Sequence, residues 1–113
     1  MNKRVMGYIR TSAAPQGIRS NSIEAQKHAI ETYCSRLGYD LCGCFLETGL
    51  VGGDFHSRSS LNELVGLCTN PDSKIVAVVA SDPTRISRSP IDLFRVLDTL
   101  RAHSVRLECV RDQ

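Results

Sequence analysis

The chain has 113 residues, 42% of them hydrophobic and 23% charged, with 8 glycines and 4 prolines, which is the make-up of one globular domain and excludes a two-domain, collagen-like, repeat or disordered chain. A formal charge of +2 excludes nucleic-acid binding driven by net charge alone, although 11 of the 14 cations are arginine, whose planar fork suits bidentate contact with phosphate. The 5 cysteines form no C-x-x-C pair, which argues against a disulfide framework or a zinc knuckle, and no apolar run approaches a membrane span or a signal-peptide core, so a cytoplasmic protein without membrane partners is expected.

Strand-like and helix-like segments alternate along the chain. Val5 to Ile9 is a short apolar run of β-formers, followed by a loop from Thr11 to Gly17. Asn21 with Glu24 makes a capping-box start for a helix whose Ile23, Ile30, Tyr33, Cys34 and Leu37 share a face until Gly38 stops it. Tyr39 to Leu46 is the second strand. It runs into a glycine-rich loop from Glu47 to Asp54 that continues to His56, Ser57 and Arg58. Ser60 and Glu63 form a second capping box, opening a helix with Leu61, Leu64, Val65 and Cys68 inward and Asn70-Pro71 as its terminator.

Lys74 to Ala80 (KIVAVVA) is a continuous apolar, largely β-branched run, expected at the centre of a parallel sheet where both faces are buried. Ser89 as N-cap and Pro90 at the first helical position introduce a third helix, with Ile91, Phe94, Leu97 and Leu100 inward. Val105 to Val110 is the last strand, with Val105, Leu107 and Cys109 on one side and Arg106 and Glu108 on the other. The order βαβαβαβ predicts an α/β fold: a mainly parallel sheet of about four strands with helices on both faces and its ligand crevice at the carboxyl ends of the strands.

Those strand ends carry the chemistry. Tyr8, Arg10 and Ser12 alternate, so in an extended chain they point the same way. The connection after the third strand holds Asp82, Arg85 and Arg88, and the glycine loop ends in Arg58. Taken singly, Ser12 reads as a turn residue or cap, and Arg85 and Arg88 as solvated surface. Together, Arg10, Arg58, Arg85 and Arg88 on three connections, with a serine among them, fit a phosphate. The histidines carry little signal: His28 is on a polar helix face, His56 in the loop and His103 at a helix C-terminus. The cysteines read as small core hydrophobes. The chain has no G-x-x-x-x-G-K-[ST] or G-x-G-x-x-G motif and no cysteine with an arginine six positions later, so it lacks the usual markers of nucleotide hydrolysis, nicotinamide binding and cysteine-phosphatase chemistry. Glu47 and Asp82 alone near the crevice are thin for a metal centre, so no metal and no cofactor is expected. What remains is metal-free covalent attack on phosphorus by a serine among arginines.

At this point the chain resembles a known family. Tyr8-Ile9-Arg10-Thr11-Ser12, Ser22-Ile23-Glu24-Ala25-Gln26, Arg58 followed by Leu61 and Leu64, and Arg85-Ile86-Ser87-Arg88-Ser89 occur in order and with compatible spacing, and are similar to the catalytic domain of the serine site-specific recombinases, the resolvase/invertase family. The S-I-E-A-Q form and the glycine-rich loop are closer to its large integrase-like branch. The resemblance implies that Ser12 is the nucleophile, joining the 5′ phosphate of a cut DNA strand and releasing a 3′ hydroxyl, and that Arg10, Arg58, Arg85 and Arg88 clamp the scissile phosphate. It also implies that Tyr8, Gln26, Glu47 and Asp82 support substrate binding, Glu47 falling where the family usually has Asp. Implied too are double-stranded DNA as partner, a homo-oligomer (dimer or tetramer) on DNA, and a longer protein that continues into a dimerisation helix and a DNA-binding domain. The proton acceptor for Ser12 is not identified. One departure stands out: the family reads Asp-Arg-Leu-x-Arg where this chain has Thr84-Arg85-Ile86-Ser87-Arg88. Either Asp82 turns back to the arginines in place of the missing acid, or it closes an Asx-type turn on nearby amides. The alternative function is a non-catalytic domain of the same fold that binds phosphate, nucleic acid or a protein partner.

Overall fold

The computed structural model describes residues 2–12, 23–50, 59–86 and 89–111. Among these, four strands form one parallel sheet: β1 (Arg4–Ser12), β2 (Asp40–Leu50), β3 (Ile75–Ala80) and β4 (Arg106–Cys109), in the order β2-β1-β3-β4. Helices α1 (Ile23–Leu37), α2 (Ser59–Cys68) and α3 (Pro90–Ala102) connect them, as the alternating pattern predicts.

Strand alternation sends the core to two faces. Val5 and Ile9 of β1 and Ala77 and Val79 of β3 pack with Ile30 and Cys34 of α1. On the opposite face, Met6, Tyr8, Val78 and Ala80 pack with Leu61, Leu64 and Cys68 of α2 and Val96 and Leu100 of α3. Central β3 is buried along nearly its whole length, which is why its sequence is apolar without alternation.

Local signals explain the boundaries. Gly38 ends α1 at φ +72°, a left-handed conformation that favours glycine. Ser89 caps α3 by accepting the Asp92 amide at 3.4 Å, with Pro90 in the first turn. Gly7 permits a close approach of β1 and β2, because a Cβ there would lie 2.6 Å from Cys44 Sγ.

Several elements depart from expectation. β1 runs on through Thr11 and Ser12, and β2 through Glu47 to Leu50, because the two strands continue to pair beyond the end of β3. A register shift between Arg10/Glu47 and Ser12/Leu50 sets two steps of β1 against three of β2. The expected cap Asn21 lies outside the described residues. On α1, Ile23 and Leu37 are 37% and 51% exposed at the two ends of the helix, and the buried stripe is Gln26, Ile30 and Cys34. α2 starts at Ser59, so Ser60 is within the helix rather than its cap. On α3, Ile91 and Phe94 are 66% and 64% exposed; Leu93, Val96 and Leu100 form the inward face, at i, i+3 and i+7, with Leu97 half-buried beside them. Cys34, Cys68 and Cys109 are buried as expected, Cys44 is half-buried, and Cys42 is exposed. Burial pushes the Cys34 and Cys68 thiols up to about 11.

A polar cluster interrupts the α1 face. Glu108 accepts from Tyr33 Oη at 2.7 Å, from Tyr39 Oη at 2.9 Å and from Arg106 Nη2 at 2.9 Å. Burial pushes the Glu108 carboxyl up, but these three donors outweigh it and hold the carboxyl below its ordinary value, while burial and the neighbouring carboxylate push both tyrosines up. A carboxylate depressed on folding adds stability above its unfolded pKa and loses it as pH falls through the folded one. The advantage of the wild type over Glu108→Gln is therefore expected to be roughly 1–3 kcal/mol at about pH 7 and to shrink as pH falls below about 4.3, as read by urea melts across that range. An advantage that does not change with pH would contradict this account.

Candidate active site

β3 stops at Ala80, opposite Tyr8, while β1 continues to Ser12. Beyond that point the β3-side edge of β1 needs new partners, and two side chains supply them. Gln26 of α1 brackets the Arg10 peptide: its Oε1 accepts the Arg10 amide at 3.3 Å and its Nε2 donates to the Arg10 carbonyl at 3.0 Å. This explains a fully buried glutamine on the apolar stripe of α1.

The second partner is Arg85. After β3 the chain makes a 3-10 turn over Pro83–Arg85, closed by the Arg85 amide on Asp82 O at 3.1 Å and the Ile86 amide on Pro83 O at 3.0 Å, and anchored by the fully buried Ile86. The turn places Arg85 against Arg10 in a crossed arrangement. Arg10 Nε donates to the Arg85 carbonyl at 3.0 Å, and Arg85 Nη1 donates to the Arg10 carbonyl at 3.3 Å. Two cations of like charge are thus fixed side by side, each on the other's backbone. Asp82 offsets that charge: its Oδ2 lies 3.6 Å from Arg85 Nε, an ion-pair distance. Asp82 therefore turns back to the first arginine of its motif.

Tyr8 and Glu47 lie beneath this edge rather than on its surface. Tyr8 is fully buried and its hydroxyl donates to Glu47 Oε1 at 3.2 Å; Glu47 is 5% exposed and the same oxygen accepts the Leu61 amide of α2 at 3.0 Å. Leu61 is the third residue of α2, one of the first-turn positions whose amides have no partner within the helix. A carboxylate from β2 thus takes the capping role that the sequence assigned to Ser60. Sequence reasoning missed this contact because nothing in the local α2 sequence marks a donor from a strand more than ten residues away.

Ser12 is the last residue of β1, its backbone in register with Leu50, at the same end of the sheet as Arg10 and Arg85. Arg58 and Arg88 lie outside the described residues, as does His56. Among the described residues, no group of three or more His, Cys, Asp or Glu side chains is placed to hold a metal ion, and no helix is long and apolar enough to cross a membrane. His28 is exposed on α1, and His103 follows α3 with its Nδ1 3.0 Å from the Thr99 carbonyl.

The profile of the resolvase N-terminal domain matches residues 5–113. The chain belongs to the resolvase family. Solved structures agree with this on the fold. The N-terminal catalytic domain of TP901-1 integrase superposes with a TM-score of 0.81 at 19% identity, covering 96% of this chain and 77% of that one. A resolvase family site-specific recombinase from Streptococcus pneumoniae gives 0.81 at 25% identity, with 96% and 72% covered. The C-terminal catalytic domain of ISC1926 TnpA, an IS607-like serine recombinase, gives 0.77 at 17% identity, with 97% and 69% covered. Among curated proteins, none matches this chain. The resemblance read from the four sequence segments is borne out at the level of family and fold.

Proposed function

We propose that this resolvase-family domain cuts and rejoins DNA in site-specific recombination, with Ser12 as nucleophile. The observation that carries the reading is the crossed pair Arg10 and Arg85, fixed on each other's carbonyls at the end of the strand that finishes with Ser12. Ser12 Oγ forms a bond to phosphorus while the bond from phosphorus to the 3′ oxygen breaks; the serine proton ends on the 3′ hydroxyl, and the 5′ phosphate stays on the protein. One phosphodiester replaces another, so the linkage conserves the energy needed to rejoin a new 3′ end without ATP. Arginines held rigidly by backbone contacts meet growing negative charge on the phosphoryl oxygens with little reorganisation, which is where such charges act most strongly. Arg58 and Arg88 complete the phosphate clamp in this reading. Double-stranded DNA is the substrate, and the full-length protein works as a homo-oligomer on it.

The test is cleavage by the full-length protein on a supercoiled plasmid carrying the DNA that flanks its gene, in excess EDTA. The expected result is chelator-resistant cleavage with protein covalently attached to 5′ ends and free 3′ hydroxyls. Cleavage that stops on chelation and returns with magnesium would replace this reading by a metal-dependent nuclease. Specific binding without any cleavage or adduct would favour a non-catalytic phosphate-binding domain.

A further inference from the structure

The geometry assigns Glu47 the role of a positioning residue that locks the first turn of α2 to the strand bearing Arg10 and Ser12. The inference rests on the recombinase reading above and adds how its site is held together. One carboxylate oxygen collects two donors from two elements: the Tyr8 hydroxyl on β1 at 3.2 Å and the Leu61 amide in the first turn of α2 at 3.0 Å. Glu47 itself belongs to β2, in register with Arg10. Three elements that meet at the carboxyl end of the sheet are therefore joined through a single buried oxygen.

The consequence is geometric. β1 carries Arg10 and Ser12, so the bond network at Glu47 sets how the first turn of α2 sits against the strand that bears them. With 5% exposure, Glu47 works from below the crevice rather than as a group on the DNA. What it needs is an acceptor at one place. Its charge and its proton take no part in the reaction.

Strand-cleavage rates of Glu47→Gln, Glu47→Asp and Glu47→Ala in the full-length protein, on the plasmid described above, separate the possibilities. Gln keeps an acceptor oxygen and is expected to retain activity within about threefold, Asp withdraws it by one methylene and is expected to lose about tenfold, and Ala about 100-fold, the scale of a displacement near 1 Å at a reacting centre. Val96→Ala, a core deletion on α3, controls for stability: it is expected to lower the melting temperature yet cut within about threefold of wild type. In residues 1–113 alone, the Leu61 amide is expected to be protected from hydrogen exchange in wild type and Glu47→Gln and to lose that protection in Glu47→Ala. If Glu47→Ala does not fold, Glu47→Asp carries both comparisons.

Wild-type cleavage by Glu47→Ala would overturn the proposal, as would a Gln variant as inactive as Ala, which would put the charge itself on the substrate. Loss of cleavage in Val96→Ala equal to that in Glu47→Ala would reduce Glu47 to a stability contribution. If wild type forms no Ser12 adduct at all, the recombinase reading fails, and Leu61 exchange still decides whether Glu47 holds α2.

Discussion

Ser12→Ala is expected to abolish the covalent protein–DNA adduct and to lower strand cleavage by at least about 10⁴-fold, the scale on which removal of a covalent nucleophile acts. Ser12 occupies the last position of β1, and alanine leaves the pairing with Leu50 available, so fold and DNA affinity should be unchanged. Circular dichroism and filter binding on the same preparation check this. Residual adduct in the alanine variant would transfer the nucleophile to another residue.

The second large effect is expected at Arg85. Its guanidinium does two things at once: Nη1 holds the Arg10 carbonyl at 3.3 Å, while Nε faces Asp82 Oδ2 at 3.6 Å. Removing both the charge and this cross-link should lower cleavage about 10²–10³-fold in Arg85→Ala, the range typical of deleting a preorganised transition-state contact. Lysine should restore little, because a single ammonium cannot occupy the Nε and Nη1 positions together. Asp82→Asn, which leaves the arginine in place but removes its counter-charge, should cost about tenfold, equivalent to roughly 1.4 kcal/mol in the transition state. Thr84→Asp should partly rescue it by restoring an acid beside the arginine. Arg85→Lys or Asp82→Asn proteins that cut at the wild-type rate, measured as initial rates of plasmid nicking, would contradict the assigned roles.

The fold was legible where a local signal coincides with the tertiary demand. The apolar run ending at Ala80 could only be a strand covered on both faces, and Ser89-Pro90 marks a helix start by chemistry that needs no long-range partner. Phase was harder. Apolar residues surround α3, so Ile91 and Phe94 fitted an inward stripe as well as Leu93 and Val96 did, and only packing on β4 and α2 separates them. The extension of β2 through Glu47 to Leu50 was hidden by Gly49, since glycine reads as loop whereas here it falls within the register shift between the Glu47 and Leu50 pairs with β1.

The same division holds at the site. The alternation of Tyr8, Arg10 and Ser12, and the run after β3, were visible as side-chain types at strand ends. The bonds that order them were not, because they run to main-chain groups: Gln26 and Arg85 to the Arg10 peptide, Arg10 to the Arg85 carbonyl, and Glu47 to the Leu61 amide. Backbone carbonyls carry no sequence signature, so these contacts emerge only once β1 is seen to outrun β3. Asp82 lies between the two cases. Its proximity to the arginines could be read from spacing, whereas its 3.6 Å approach to Arg85 Nε depends on the 3-10 turn between them.

In the proposed reaction Ser12 attacks phosphorus. This attack is tested most directly by trapping the adduct on nicked plasmid in EDTA, digesting protein and DNA, and locating the residual nucleotide by tandem mass spectrometry. The expected result is a phosphodiester on the Ser12 hydroxyl, joined to the 5′ end of the cut strand. A nucleotide on any other side chain, or attachment through a 3′ phosphate, would contradict it.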